Sequence, residues 1–280
     1  MYRILKKRKL NPTVTELVIE APAVAKKARA GQFIILRVDA DGERIPLTVA
    51  ACDRETGGVT VIFQEVGATT LRLAHKEAGE CISDFVGPLG RATEIEGRSR
   101  VAVVGGGVGC AIAYPVAKAF FEAGAEVDVI AGFRSRELVI LEEEFSKVAT
   151  RFLRMSDDGS WGEKGLVTDA LRRRIEEGAS YDEVVTIGPL PMMKFVSLLT
   201  KEYGIPTVAS MNPVMIDGTG MCGGCRLTVG GRICFACVDG PEFNAHEIDF
   251  DEAIARSSTY RTAERHAYDE ACNLFSKEVE

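Results

Sequence analysis

VAVVGGGVGCAIAYPVAKAFFEAG, residues 101–124, decides the fold. An apolar run of strand length hands over through Gly105, Gly106, Gly107, Val108 and Gly109 to an apolar-rich helical pattern that stops at Gly124. Strand, glycine-rich turn and helix in that order open a parallel, doubly wound α/β sheet. Glycines at this turn let the backbone approach a pyrophosphate, and the helix start offers N–H groups without intrahelical acceptors. The run departs from G-x-G-x-x-G because Cys110 stands at the third glycine, and no acidic residue is placed for a ribose at the end of the next strand, AEVDVIAGF. A tight turn without a ligand is the competing reading.

Toward the C-terminus the alternation continues to about residue 208, with helix ELVILEEEFSKVA, strand TRFLRMS, helix LVTDALRRRIEEG, strand DEVVTIG, helix PMMKFVSLLTKEYG and strand PTVASM. Ser156, Asp157, Asp158 and Gly159 fall at the carboxyl edge of the third parallel strand, where such sheets bind nucleotides. Carboxylates at Asp157 and Asp158 would accept ribose hydroxyls and repel a 2′-phosphate, which favours NAD(H). Arg134 and Arg136 follow the second strand and keep NADP(H) open. Gly188 and Pro189 form a tight turn after the fourth strand, and the adjacent Met192 and Met193 read as core rather than contact.

Toward the N-terminus, residues 1–96 alternate short strand patterns with turn residues: VTELVIEAP, GQFIILRVD, IPLTVAACD, GGVTVIFQEV and GECISDFVGPLG. That is the rhythm of a small antiparallel β-barrel. AVAKKARA, between the first two, reads as a loop or one helical turn. Arg44, Pro46, Leu47 and Thr48 offer a guanidinium that can fork onto a phosphate, a fixed backbone and a hydroxyl. Gly67, Thr69 and Thr70 supply a turn with hydroxyls for the other side of a pyrophosphate. On composition alone an ordinary strand and turn would serve as well.

The third region, residues 209–280, opens with MIDGTGMCGGCRLTVGGRICFACVDGP, residues 215–241. Cys222, Cys225, Cys234 and Cys237 read as C-x2-C-x8-C-x2-C, a spacing that can hold a tetrahedral zinc. Asp217, Cys222, Cys225 and Cys237 match instead the ligand ladder of a plant-type 2Fe-2S site with a carboxylate in the first position. Spacing leaves both open. The glycine-rich segment upstream of Cys222 suits a loop that wraps a cluster. Cys52, Cys81, Cys110 and Cys272 are scattered and read as small buried hydrophobes. The charged segment FDEAIARSSTYRTAERHAYDEACNLFSKEVE closes the chain, as a helix expected to dock on the cysteine module or a partner.

With 34 basic against 41 acidic residues the net charge is -7, which gives nucleic-acid binding no footing. No apolar run approaches bilayer length and the N-terminus lacks a signal-peptide pattern, so a cytoplasmic chain with no membrane association is expected. His75, His246 and His266 are isolated, with no serine or carboxylate at telling distances and no catalytic acid or base.

Taken together these residues resemble the ferredoxin-NADP reductase superfamily over nearly the full length. Within it they are similar to the small electron-transfer subunits of dihydroorotate dehydrogenase, sulfide dehydrogenase and NADH-dependent ferredoxin:NADP oxidoreductase. The resemblance implies an FAD-binding barrel over 1–96, an NAD(P)-binding α/β domain over 97–208 and a 2Fe-2S module with a C-terminal helix over 209–280. Arg44, Pro46, Leu47 and Thr48 would line the FAD, Phe63 and Gln64 its ribityl or adenosine part, and Gly67, Thr69 and Thr70 its phosphates. The partner implied is a larger flavoprotein with FAD and 4Fe-4S clusters, forming a heterodimer that reaches ferredoxin indirectly. Dihydroorotate-type subunits carry cysteine where this chain has Asp217, so the carboxylate selects the ferredoxin:NADP oxidoreductase and sulfide dehydrogenase branch. Ile187 stands where many relatives have cysteine, so hydride transfer would rest on flavin and nicotinamide geometry alone.

Overall fold

The structure, a computed structural model, describes residues 1–277. Its first seven strands are β1 (Tyr2–Asn11), β2 (Val14–Glu20), β3 (Phe33–Arg37), β4 (Arg44–Asp53), β5 (Gly58–Gln64), β6 (Cys81–Ile82) and β7 (Asp84–Leu89). They form one antiparallel sheet in the order β6-β1-β2-β5-β4-β3-β7. The expected single strand GECISDFVGPLG is therefore two strands, broken at Ser83. One half pairs with β1 at one edge and the other with β3 at the opposite edge, so this segment closes the sheet into a barrel. The Ser83 N–H donates to the carbonyls of Arg37 and Val38, both at 3.0 Å, which fixes the corner. Alternation points Ile4, Leu17, Ile34, Leu36, Val59, Val61 and Phe85 into the interior. AVAKKARA contains one helical turn, α1 (Pro22–Ala25), and α2 (Ala68–His75) follows β5.

The second sheet contains β8 (Arg100–Gly106), β9 (Glu126–Phe133), β10 (Arg151–Ser156), β11 (Glu163–Lys164), β12 (Glu183–Ile187) and β13 (Thr207–Ser210), all parallel. Helices α3 (Cys110–Glu122), α4 (Glu142–Val148), α5 (Val167–Glu176) and α6 (Leu190–Glu202) cover it. Two separate apolar cores lie on its faces, one built on Val101, Val103 and Phe120 and the other on Ala102, Val104 and Leu171. That is the arrangement expected of a doubly wound sheet. The helix expected over ELVILEEEFSKVA begins only at Glu142. Leu141 is left-handed at φ 57° and, with Ile140, is turned into the core, so burial overrides helical propensity there.

The remaining chain contains a hairpin, β14 (Arg226–Val229) and β15 (Arg232–Phe235), then β16 (Glu242–Asn244) and helices α7 (Phe250–Ser257) and α8 (Arg261–Lys277). Strand β16 joins the parallel sheet antiparallel to β13. The expected C-terminal helix is two helices: α7 packs on α6 and β14, whereas α8 crosses to α2 of the barrel rather than docking on the cysteine module. Of the scattered cysteines only Cys110 is fully buried; Cys52, Cys81 and Cys272 are half-buried, which corrects the reading of all four as core.

Glu242, the first residue of β16, is half-buried where this region meets the segment joining barrel and sheet, with its carboxyl turned inward to accept from Thr93 Oγ1 at 2.7 Å. Burial pushes this carboxyl up to about 7, and the nearby Glu183 and Glu94 add to the shift. A carboxyl that keeps its proton longer when folded stabilises the fold below its unfolded value of 4.5, and that stability is lost as pH rises toward 7. Glu242→Gln should remove this dependence. Thermal denaturation should show variant and wild type alike near pH 4.5, with the variant gaining on the order of 3 kcal/mol by pH 8.

Candidate nucleotide cleft and cysteine loop

At the carboxyl edge of the parallel sheet the β8–α3 turn and the β12–α6 turn are pressed together. A Cβ added at Gly109 would lie 2.6 Å from the Ile187 carbonyl oxygen, and one at Gly106 would lie 2.3 Å from Met192 Sδ. Gly109 is thus the close-approach glycine, one position before the Cys110 that displaced the consensus. Cys110 is fully buried beside Gly105, and burial pushes its thiol far above the ordinary range, so it is an inert packing residue. Gly107, by contrast, has φ +55° and open space around it.

These turns floor a cleft of about 810 Å³ between sheet and barrel, a size that suits a dinucleotide-scale ligand. Gly106, Gly107, Val108, Gly109, Asp157, Gly188 and Pro189 line it, and Gln64 reaches it from the barrel. Phe63 does not reach it. Strand alternation turns that ring into the barrel core at 2% exposure. Asp158 is absent from the lining, because its carboxylate accepts from the Ser160 N–H at 2.9 Å and hydroxyl at 2.6 Å, which holds it below the usual carboxylate range. Arg134 also lines the cleft, whereas Arg136 does not. Asn11, Thr13, Thr168, Ser210 and Asn212 complete the polar wall and carry no motif that marks them in the sequence. For Ser210 the available signal was its place at the carboxyl end of a parallel strand.

On the barrel, Arg44, Pro46, Leu47 and Thr48 form a half-buried run of β4, paired with β3. Arg44 donates from Nε to the Ile216 carbonyl at 2.8 Å. The remaining guanidinium nitrogens can still fork onto a phosphate. The threonine hydroxyls do not present themselves as expected: Thr70 Oγ1 accepts from the Gly67 N–H at 3.0 Å, and Thr69 Oγ1 donates to Glu43 at 2.8 Å. What the α2 start does offer is backbone N–H groups, which its first turn leaves without intrahelical acceptors.

The cysteine loop rests on the barrel. A Cβ at Gly218 would meet Ile35 Cδ1 at 2.7 Å and Leu89 Cδ1 at 2.8 Å, and φ there is +83°. The β14–β15 hairpin turns at Gly230 and Gly231 and brings Cys225 and Cys237 together at its open end, with the Ala236 N–H donating to the Cys225 carbonyl at 3.1 Å. Their sulfurs are 3.3 Å apart and buried, and both cysteines are free. Two thiolates on one tetrahedral metal stand roughly 3.8 Å apart, given metal–sulfur bonds of about 2.3 Å. The pair is therefore close to ligating geometry. Burial pushes the Cys237 thiol up to about 11, and the adjoining Cys225 adds to the shift.

Cys222 is exposed on the same loop, and hydrogen bonds from backbone N–H groups, Gly224 first, lower its thiol toward the thiolate that a metal requires. The Asp217 carboxylate accepts from the Thr219 hydroxyl and N–H and from the Met221 N–H. These bonds hold it below the usual carboxylate range. Of the four expected ligands the structure thus brings two together. Among the described residues no three Cys, His, Asp or Glu side chains form a metal-holding group. Cys234 lies inside β15 opposite Leu227 and joins no such group. The donor set fits an iron–sulfur centre, with two soft buried cysteine sulfurs, one exposed low-lying thiol and a carboxylate on a glycine-rich loop. Among the described residues no helix is long and apolar enough to cross a membrane.

Residues 103–198 match the oxidoreductase NAD-binding domain, and residues 212–249 match the iron–sulfur cluster binding domain of dihydroorotate dehydrogenase B. These two domains, on an antiparallel barrel and a doubly wound sheet, define an oxidoreductase electron-transfer subunit of ferredoxin-reductase-like fold, which binds FAD, NAD and an iron–sulfur cluster. The chain is 49% identical over 272 residues to an uncharacterised protein of Clostridium beijerinckii, covering 94% of this chain and 92% of that one. It is 46% identical over 269 residues to the dihydroorotate dehydrogenase B (NAD(+)) electron transfer subunit homolog of Thermotoga maritima, covering 96% and 95%. A solved structure of the NADH-dependent reduced ferredoxin-NADP oxidoreductase superposes with TM-score 0.91 at 44% identity, over 96% of this chain and 97% of that one. The chain belongs to the family of dihydroorotate dehydrogenase B-type electron transfer subunits. Such a subunit serves a larger catalytic partner.

Close packing at the glycine turn is testable by itself. Gly109→Ala drives a methyl group into the Ile187 backbone, and should cost about 1–3 kcal/mol of stability in urea denaturation.

Proposed function

We propose that this chain is the small subunit of an NADH-dependent ferredoxin:NADP oxidoreductase, or of its sulfide dehydrogenase relatives, whose large subunit is a flavoprotein with FAD and 4Fe-4S clusters and whose distal partner is ferredoxin. The observation that carries the reading is the Arg44–Ile216 hydrogen bond, which ties the flavin segment of β4 to the residue before Asp217. Flavin and cluster sites so joined are neighbours, as a relay requires. In support, the solved oxidoreductase noted above, 44% identical and matched over 97% of its chain, was studied for flavin-based electron bifurcation.

Under this reading residues 1–96 hold FAD through Arg44, Pro46, Leu47, Thr48 and, at the turn that begins with Gly67, the free N–H groups of Thr69 and Thr70. Residues 97–208 hold the nicotinamide dinucleotide through Gly106–Gly109, Gly188 and Pro189, with Gly105 behind them packed against Cys110 and Ala113 rather than lining the cleft. Residues 209–280 hold a 2Fe-2S cluster through Asp217, Cys222, Cys225 and Cys237. Bound flavin would accept a hydride from the nicotinamide and release its electrons singly to the iron–sulfur centre. Asp157 faces the cleft, where its carboxylate would accept a ribose hydroxyl and repel a 2′-phosphate. On the cysteine loop and its hairpin the side chains of Val214, Ile216, Met221, Ile233 and Val238 are exposed, Met221 at 87%, and this apolar surface is the docking face for the large subunit.

A second reading, in which the large subunit is dihydroorotate dehydrogenase, is favoured by the description of the Thermotoga relative and of the matched cluster domain. Co-purification separates the two readings. A large chain carrying 4Fe-4S clusters supports the first, and one that oxidises dihydroorotate supports the second.

Asp217→Asn keeps an oxygen to accept the Thr219 and Met221 N–H groups but removes the anionic ligand. It should lose acid-labile sulfide and the reduced-cluster EPR signal while flavin content stays at wild-type level; undiminished sulfide would remove Asp217 from the ligand set. In stopped-flow experiments NADH should bleach the flavin at least 10-fold faster than NADPH, and Asp157→Ala should narrow that ratio. Equal rates for both nucleotides in the wild type would overturn the role given to Asp157.

A further inference from the structure

The strand order β10-β9-β8-β12-β13 gives the cleft a direction. With the ribose of the adenosine at Asp157 beside β10 and the pyrophosphate at Gly106–Gly109 after β8, the nicotinamide end of a dinucleotide falls at β12 and β13. From β10 to β13 there are four interstrand steps, about 19 Å, the scale of an extended dinucleotide.

At that end the walls differ. Ile187, Pro189 and Met192 present an apolar surface, and beside them Ser210, on the neighbouring strand β13, and Asn212, just beyond it, present a polar one. Ser210 ends β13 and is 8% exposed, while Met211 turns into the core at 3%, so alternation puts residues 210 and 212 on one side of the chain. Backbone bonds hold the segment in place: Ser210 pairs with Glu242 of β16, and the Met211 N–H donates to the Pro241 carbonyl at 2.9 Å. Among the described residues, neither the Ser210 hydroxyl nor the Asn212 carboxamide has a hydrogen-bond partner within the protein. A hydroxyl and a carboxamide together supply donors and acceptors but no charge. An apolar surface beside such a pair suits an aromatic ring bearing an uncharged amide.

We propose that Ser210 and Asn212 bind the carboxamide of the nicotinamide and so set which way the ring faces across the cleft. This rests on the dinucleotide reading of the cleft given above, and goes beyond it by placing the recognition of the reactive ring on the strand that leads directly into the cysteine loop.

Isothermal titration of the oxidised, flavin- and cluster-loaded protein with NAD+ and with ADP-ribose tests it, because ADP-ribose keeps the adenosine and pyrophosphate but lacks the ring. Asn212→Ala and Ser210→Ala should each weaken NAD+ binding about 3- to 10-fold, the worth of one neutral hydrogen bond, and leave ADP-ribose within 2-fold of wild type. The assignment is overturned if NAD+ affinity is unchanged in both variants, or if NAD+ and ADP-ribose weaken together, as a structural role would give. Wild-type protein that binds neither ligand would instead remove the dinucleotide reading, and this assignment with it.

Discussion

Phe33 and Ile35 of the barrel, Met193 of α6 and Ala209 of the parallel sheet, and Cys225 and Cys237 at the open end of the hairpin pack into one apolar core. Each fully buried side chain of this size stabilises by about 1.5–3 kcal/mol, so a cluster drawn from three parts of the chain fixes their relative placement more firmly than any linker could. The thiol pair sits inside this core rather than beside it. The spacing of Cys225 and Cys237 is therefore set by the same contacts that hold barrel and sheet together.

Electrostatics arranges what packing has assembled. One guanidinium, Arg44, lies on the barrel strand given to the flavin, bonds the backbone of the cysteine loop, and adds its charge to the Thr219 and Met221 hydrogen bonds that hold Asp217 ionised. The cleft carries the opposite sign at Asp157 and a cation at Arg134, both at its β9–β10 end. Its far end at β12 and β13 is uncharged. A dinucleotide has a matching order, with the adenosine ribose at one end, the phosphates in the middle and a neutral amide at the other end.

Much of this was legible in the residues, and where it was not the reason is physical. The GGGVG turn and the cysteine ladder are local patterns, in which spacing along the chain nearly equals arrangement in space. Barrel closure at Ser83 is not local, because β6 and β7 find partners about eighty and fifty residues away, and a one-residue break leaves no compositional mark. The late start of α4 reflects burial of Ile140 and Leu141, which propensity does not report. Phe63 and Gln64 could have been separated by strand alternation alone, since adjacent residues on β5 cannot both face the cleft. Thr69, Thr70 and Asp158 carry the right chemistry for ligands, but neighbouring groups already engage them, and such engagement is invisible until side chains are placed.

Strand β16 arrives from beyond the cysteine hairpin and lies along β13, which would otherwise end the parallel sheet with a row of unsatisfied backbone groups. Such a border is a template for pairing with other molecules. The iron–sulfur region is consequently no detachable cassette: cutting the gene ahead of residue 242 would strip the sheet of its guard and invite self-association. Any shuffling of this segment among reductases during evolution would have had to bring along a replacement for those three residues.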